Sequence, residues 1–206
     1  MYLYKVEEDI FRTINVSAEG LITEKKSKFL SFIHHVESAE KAKEIVEECR
    51  KKYYDARHVC WAYMLGPQRD DFRSNDDGEP SGTAGRPILG QINSYELTDV
   101  IVLVVRYFGG TLLGTSGLIK AYKEAASEAI DNAEIIEKTV DEQLIIHFDY
   151  QLLNDVMRVL KQFESVHWEQ DFKESCIMRL MIRKSQIDQL TNALTAIYGV
   201  EIKTPE

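Results

Sequence analysis

VIVLVV (Val100–Val105) followed directly by RYFGGTLLGTSG (Arg106–Gly117) decides the fold. Six consecutive β-branched or leucine residues predict a central strand covered on both faces, because a half-exposed strand would alternate with polar residues. The glycine-rich run ends that strand. Leu118, Tyr122, Ala125, Ala126 and Ala129 then recur at helical spacing, so an amphipathic helix opens near Thr115 or Ser116. A buried strand, a small-residue loop and a helix in succession belong to a layered α+β domain.

Working outward, Ile10 to Val16 and Phe29 to Val36 read as strands, with a turn around Ser17 to Gly20. Ser38 is placed to cap a helix burying Ala42, Ile45, Val46 and Cys49, with Glu40 in its first turn. His58 to Met64 is a further strand. A second glycine-rich loop, DDGEPSGTAGRP (Asp76–Pro87), leads into a short helix from Pro87 to Tyr95. Residues 134–142 are polar and charged, and they predict a boundary between domains at 1–136 and 137–206. Beyond it Leu144, Ile146 and Phe148 alternate as a strand, and Leu152 to Phe163 has helical spacing. Ser165 to Phe172 is a weaker strand. Met178, Leu180 and Ile182 alternate again, Ile187 to Ile197 is helical with Gly199 as its C-terminal cap, and Val200 and Ile202 suggest a last short strand. This βαββαβ order is the ferredoxin-like arrangement.

With 206 residues, 44% of them hydrophobic, the chain can bury a core without staples. It has no apolar run long enough to span a bilayer. MYLYKVEED (Met1–Asp9) lacks the layout of a secretory signal, and Cys49, Cys60 and Cys176 form neither a disulfide framework nor a zinc pattern. These features predict a cytoplasmic protein. The net charge is −9, and neither half is basic. Any nucleic-acid contact therefore needs a local basic face.

The loops carry the candidate chemistry. Gly109, Gly110, Gly114 and Gly117 clear the approach to a helix start whose N–H groups lack intrahelical partners, and Thr111, Thr115 and Ser116 add hydroxyls. That is the physics of an anion pocket. It is also the physics of a glycine-rich turn with Thr115 or Ser116 as an ordinary N-cap. In the other loop Asp76, Asp77 and Glu79 surround Gly78. They are candidates for a Mg²⁺ site, a base or a hold on a partner's arginine, and equally for turn formers and caps. Ser81, Thr83 and Gly85 open the short helix. Arg86, Arg106 and Lys120 are the nearest basic residues, able to neutralise a phosphate or to pair with the three acids. His58 shares a strand face with Cys60 and reads best as a structural histidine. Lys25, Lys26 and Lys28 with Phe29, and Arg50 to Arg57 with Tyr53 and Tyr54, are basic–aromatic mixes of the kind that grip single-stranded RNA, or solvated faces.

AxHxCWAY (Ala56–Tyr63), DDGEPSGTAGRPIL (Asp76–Leu89) and VVRYFGGTLLGTSGLIKAY (Val104–Tyr122) strongly resemble the IMPACT/YigZ family in its bacterial two-domain form. The resemblance implies an N-terminal β/α domain of the type shared by a small-subunit ribosomal protein, a domain of elongation factor G and the GHMP kinases. It implies a C-terminal domain similar to the fifth domain of elongation factor G, and a link to the regulation of translation. The family's acidic loop maps onto Asp76, Asp77 and Glu79, and its glycine loop onto Gly109, Gly110, Gly114 and Gly117. Two positions depart from the family pattern, Leu112 for a usual lysine and Lys120 for a usual arginine, and the first removes a cation from the second loop.

No complete catalytic constellation is present, and no cofactor is called for. The reading is a non-catalytic, translation-associated binding protein that contacts ribosome, RNA or a translation factor through a cleft where the loops converge. Its candidate residues are His58, Asp76, Asp77, Glu79, Ser81, Thr83, Arg86, Arg106, Gly109, Gly110, Thr115, Ser116 and Lys120. The alternative is a Mg²⁺-dependent phosphotransferase or phosphohydrolase with the metal on Asp77 and Glu79. The oligomeric state stays open.

Overall fold

The computed structural model describes residues 9–163, 166–172 and 176–203. The chain is a mixed α+β protein that divides into two compact units, one of Phe11–Lys138 and one of residues 139–203 together with Asp9 and Ile10. The segment expected not to be a secretory signal lies, apart from Asp9, outside the described residues.

The first unit is built on a five-stranded sheet. Its strands are β2 (Ala18–Glu24), β3 (Ser27–His35), β4 (His58–Leu65), β5 (Asp71–Asn75) and β6 (Val100–Tyr107), in the order β2-β3-β6-β4-β5, with every neighbour antiparallel. β6 lies at the centre, and Val100 to Val105 are all fully buried, which explains the unbroken apolar run. Helices α2 (Gly85–Ser94) and α3 (Gly114–Asp131) share one apolar cluster with Phe29, Ile33, Cys60, Ala62, Val102 and Val104. The opposite sheet face, with Val59, Tyr63, Ile101, Leu103 and Val105, packs on Ala42 and Val46 of α1 (Ala39–Lys52). The Ser38 hydroxyl caps α1 by accepting the Lys41 N–H, as its sequence position predicts. β1 (Ile10–Ile14) and β7 (Ile135–Thr139) form a separate two-stranded sheet.

Three strands were not foreseen. β2 stands where a turn at Ser17–Gly20 was expected. Its burial alternates only between half-buried and exposed, because it is the sheet's edge, so its hydrophobic period is weak. β5 forms the other edge with an equally polar sequence, and β7 lies in the polar stretch read as a boundary.

β2 and β3 are joined by a two-residue hairpin turn, Lys25–Lys26, with φ of 45° and 68°. Two central residues of positive φ define the turn whose twist suits a hairpin, and that turn ordinarily takes Asn-Gly. Lysine in the left-handed region costs roughly 1–2 kcal/mol per residue. Gly109, just past β6, presses on this turn. A Cβ built at Gly109 would lie 2.0 Å from the Lys26 carbonyl carbon, and the Gly109 N–H donates to the Ser27 hydroxyl at 3.1 Å.

In the second unit the elements run β8 (Asp141–Phe148), α4 (Leu153–Leu160), β9 (His167–Phe172), β10 (Cys176–Arg183), α5 (Ile187–Thr195) and β11 (Glu201–Lys203). The expected order β, α, β, β, α, β is observed. The strands lie in the order β11-β8-β10-β9, all antiparallel. Leu144, Ile146 and Phe148 pack with Met178, Leu180 and Ile182 and with Val156, Leu160, Leu190 and Leu194. Ser165, the expected start of β9, lies outside the described residues. The C-cap of α5 is Ala196 and not the expected Gly199, which has φ of +95° in the next turn, where the Val200 N–H donates to the Ile197 carbonyl at 3.2 Å.

Gly109→Ala is expected to destabilise the first unit by ~1–3 kcal/mol, since backbone and not a flexible side chain fills the space its methyl needs. A urea melt that matches wild type would show that the Lys26 backbone can move aside.

Candidate binding site at the glycine-rich loops

Each acid of the first loop has a protein partner. Asp76 accepts backbone N–H groups from Gly82 (2.8 Å), Ala84 (3.0 Å) and Gly85 (2.8 Å). Since α2 has no side-chain cap at its own start, Asp76 caps it from upstream. Burial pushes the Asp76 carboxyl up, but the three N–H groups and the Arg86 charge outweigh it and leave the group below its ordinary value. Asp77, at φ 45°, accepts the Val59 N–H at 2.7 Å and pairs with Arg50 of α1 at 2.5 Å. Its carbonyl oxygen accepts from His58 Nδ1 at 2.7 Å, so that nitrogen carries the ring proton. His58 is therefore a structural strut of the loop.

Glu79 is turned inward. One carboxylate oxygen accepts from Arg106 Nη1 at 2.5 Å and from the Tyr122 hydroxyl of α3 at 2.9 Å. The side chains of Arg106 and Glu79 are only 8% and 3% exposed. The guanidinium lies 5.6 Å from the Phe29 ring centroid and 5.8 Å from that of Phe108. Cys60 Sγ lies 3.4 Å from the Tyr122 hydroxyl and 3.0 Å from the Asp76 carbonyl. Burial raises the pKa of both the Cys60 thiol and the Tyr122 hydroxyl, so both stay protonated at neutral pH. These contacts answer the choice left open for the basic residues, with Arg106 forming a structural ion pair. They also occupy the carboxylates of Asp77 and Glu79 with protein donors. Among the described residues, no three His, Cys, Asp or Glu side chains gather as a metal site.

The remaining predicted residues are more open. Thr83 is buried and donates to the Pro80 carbonyl at 2.6 Å, while Ser81 and Arg86 are exposed. In the second loop α3 begins at Gly114, a residue before Thr115, and no side-chain cap bond is made at Leu113. Thr115 and Ser116 are thus exposed residues of the first turn and not its N-cap. Lys120 is exposed and lies 3.6 Å from Glu124 on its own helix. Phe108 and Leu112 are 56% and 83% exposed, and Gly110 is also open. The loops are joined through Arg106, Glu79 and Tyr122. The cavities flanking α1 and the Lys25–Lys26 turn are lined by no residue of the first loop.

Sequence reasoning missed Arg50 as the partner of Asp77, because the two are far apart in sequence and on different elements. It read Tyr122 only as a helix core position, and the hydroxyl that reaches Glu79 leaves no periodic signal.

Residues 25–130 match the Impact N-terminal domain. The chain is 33% identical over 172 residues to the IMPACT family member YigZ of Escherichia coli, covering 82% of this chain and 84% of that one. It is 29% identical over 185 residues to the IMPACT family member YvyE of Bacillus subtilis, covering 90% and 85%. A crystal structure of a hypothetical protein superposes with a TM-score of 0.71 at 28% identity, over 96% of this chain and 98% of that one. The chain belongs to the IMPACT family.

Two outcomes are expected. Arg106→Met leaves the Glu79 charge buried and should cost ~3–5 kcal/mol, whereas Arg106→Met with Glu79→Leu should recover part of that loss in denaturant melts. Asp76→Asn should cost ~1–2 kcal/mol at neutral pH. Because the folded Asp76 pKa is lowered, its contribution is present above the unfolded value near pH ~4 and is lost as the pH falls through the folded one. The stability gap between wild type and Asp76→Asn should therefore close in acid, and a gap that stays constant would remove Asp76 as the cause.

Proposed function

We propose that this protein is a non-catalytic regulatory binding protein of the translation apparatus, acting in the cytoplasm through the open face of the second glycine-rich loop. The observation that carries the reading is the contrast between the loops. The first spends its acids on a helix cap, a strand N–H and a buried arginine, as a scaffold does. The second presents Phe108, Gly110, Leu112, Thr115 and Ser116 to solvent at an uncapped helix start. Backbone N–H groups at such a start favour an anionic partner. The link to translation comes from family membership, through the resemblance of the loop motifs. The second unit supports it through its βαββαβ order and strand order, which suit a ferredoxin-like domain similar to the fifth domain of elongation factor G. The partner is taken to be a ribosomal subunit or a translation factor bound to it. The Mg²⁺ alternative needs Asp77 and Glu79 released from four protein donors, and no observed contact favours it.

The test is co-sedimentation with ribosomes from the protein's own cell lysate, at low and moderate salt. Thr115→Glu with Ser116→Glu suits the helix dipole, so α3 should keep its stability while the loop repels an anionic partner. Wild type is expected to travel with a ribosomal subunit and the variant to remain at the top of the gradient. Wild type at the top under every salt condition would end this reading.

A further inference from the structure

The basic stretch Lys25–Lys28 does not use the aromatic residue beside it in sequence. Phe29 is fully buried beneath Arg106 and Tyr122. The pairing of β3 with β6 supplies other rings. Lys28 lies opposite Tyr107, and Leu30 opposite both Leu21 and Val105. A shallow cavity of about 500 Å³ results, lined by Leu21, Lys26, Lys28, Leu30, Tyr107 and Phe108. It contains two ammonium groups, the exposed Leu21 side chain, the half-buried Leu30 and the exposed Phe108 ring, and no carboxylate lines it. Asp55 accepts the hydroxyl of Tyr107, one of the lining residues, at 2.8 Å. Lys25, Lys26 and Lys28 are exposed and make no ion pair with a described carboxylate, in a chain with 34 acidic against 25 basic residues.

The backbone adds an independent observation. Both lysines of the turn sit at positive φ, where Asn-Gly would be relaxed. A left-handed conformation of a long side chain persists only when its surroundings impose it, and such strain collects at functional sites. Here Gly109 and Ser27 impose it. The turn places Lys26 in the cavity with the Phe108 ring, and Lys28 joins it from β3.

We propose that this cavity and the turn beside it bind single-stranded nucleic acid, with Lys26 and Lys28 of the cavity and Lys25 of the turn as phosphate contacts and Phe108 as a stacking platform for one base. A flat base fits an exposed ring backed by a guanidinium, and repeating phosphates fit successive unpaired lysines. This deepens the reading above by naming what the region beside the second loop takes, and it rests on that reading for its place in translation.

Lys25→Asn with Lys26→Gly separates binding from folding, because it relaxes the turn. Fluorescence anisotropy is measured with a labelled ten-nucleotide single-stranded RNA, the same sequence as DNA, and a labelled deca-glutamate peptide, from 50 to 200 mM salt. For three phosphate contacts the wild-type RNA log–log salt slope should be about −2, falling to about −0.7 in the double variant. The variant should bind at least about tenfold more weakly at 50 mM salt and melt no lower than wild type. Phe108→Ala should weaken binding by at least about fivefold. Equal binding of DNA supports the same site without reading of the 2′-hydroxyl, and preference for RNA supports it with that reading. Absence of RNA binding, an unchanged salt slope in the double variant, or equal capture of deca-glutamate would overturn the proposal. If wild type then still travels with ribosomes, only this inference falls. If RNA binds but ribosomes do not carry the protein, the inference stands and the translation reading falls.

Discussion

A guanidinium at the end of a strand buried on both faces must be met by a carboxylate, and the first unit is arranged around that requirement. Arg106 follows Val105 directly, and its side chain is almost wholly enclosed. A charge held there without a partner would be strongly destabilising. Glu79 supplies the partner, which turns the first loop inward, and Tyr122 adds a hydroxyl from α3. One contact thereby ties β6, the acidic loop and the long helix together. Asp76 and Asp77 continue the same work, the first by capping α2 and the second by joining the end of α1 to β4.

With those charges paired internally, the two glycine-rich loops have different roles. The first is rich in acids and small residues because its backbone doubles back within reach of a helix start and a strand edge. The second has small residues because Gly109 must pass close to the Lys25–Lys26 turn. Its outer surface carries no comparable network: Leu112 is 83% exposed, and the exposed Phe108 ring touches the first unit's central charge only through Arg106.

Much of this was legible in the sequence wherever burial leaves a period. Val100–Val105 announced the central strand, the spacing from Leu118 to Ala129 announced α3, and the motifs of residues 56–122 announced the family. The edge strands β2 and β5 were not legible, since one face of each meets solvent and their composition is polar. The helix start at Gly114 was misplaced toward Thr115 or Ser116, because those hydroxyls look like caps and a cap bond is decided by geometry. The basic stretch at Lys25–Lys28 was visible, but its aromatic partner was not, because β6 brings Phe108 to it across the sheet.

By itself the sequence determined the mixed α+β class, the order of elements in the second unit, and the two loops as the informative region. Each of these depends on local periodicity or on a run of small residues, and neighbours along the chain are enough to specify it. Only the tertiary structure decided that Asp76 is a cap, Asp77 a strut and Glu79 the counter-charge of Arg106. It alone showed the Lys25–Lys26 turn held strained against Gly109. A carboxylate's role depends on which donors stand within about 3 Å of it, and those donors come from elements that only folding brings together.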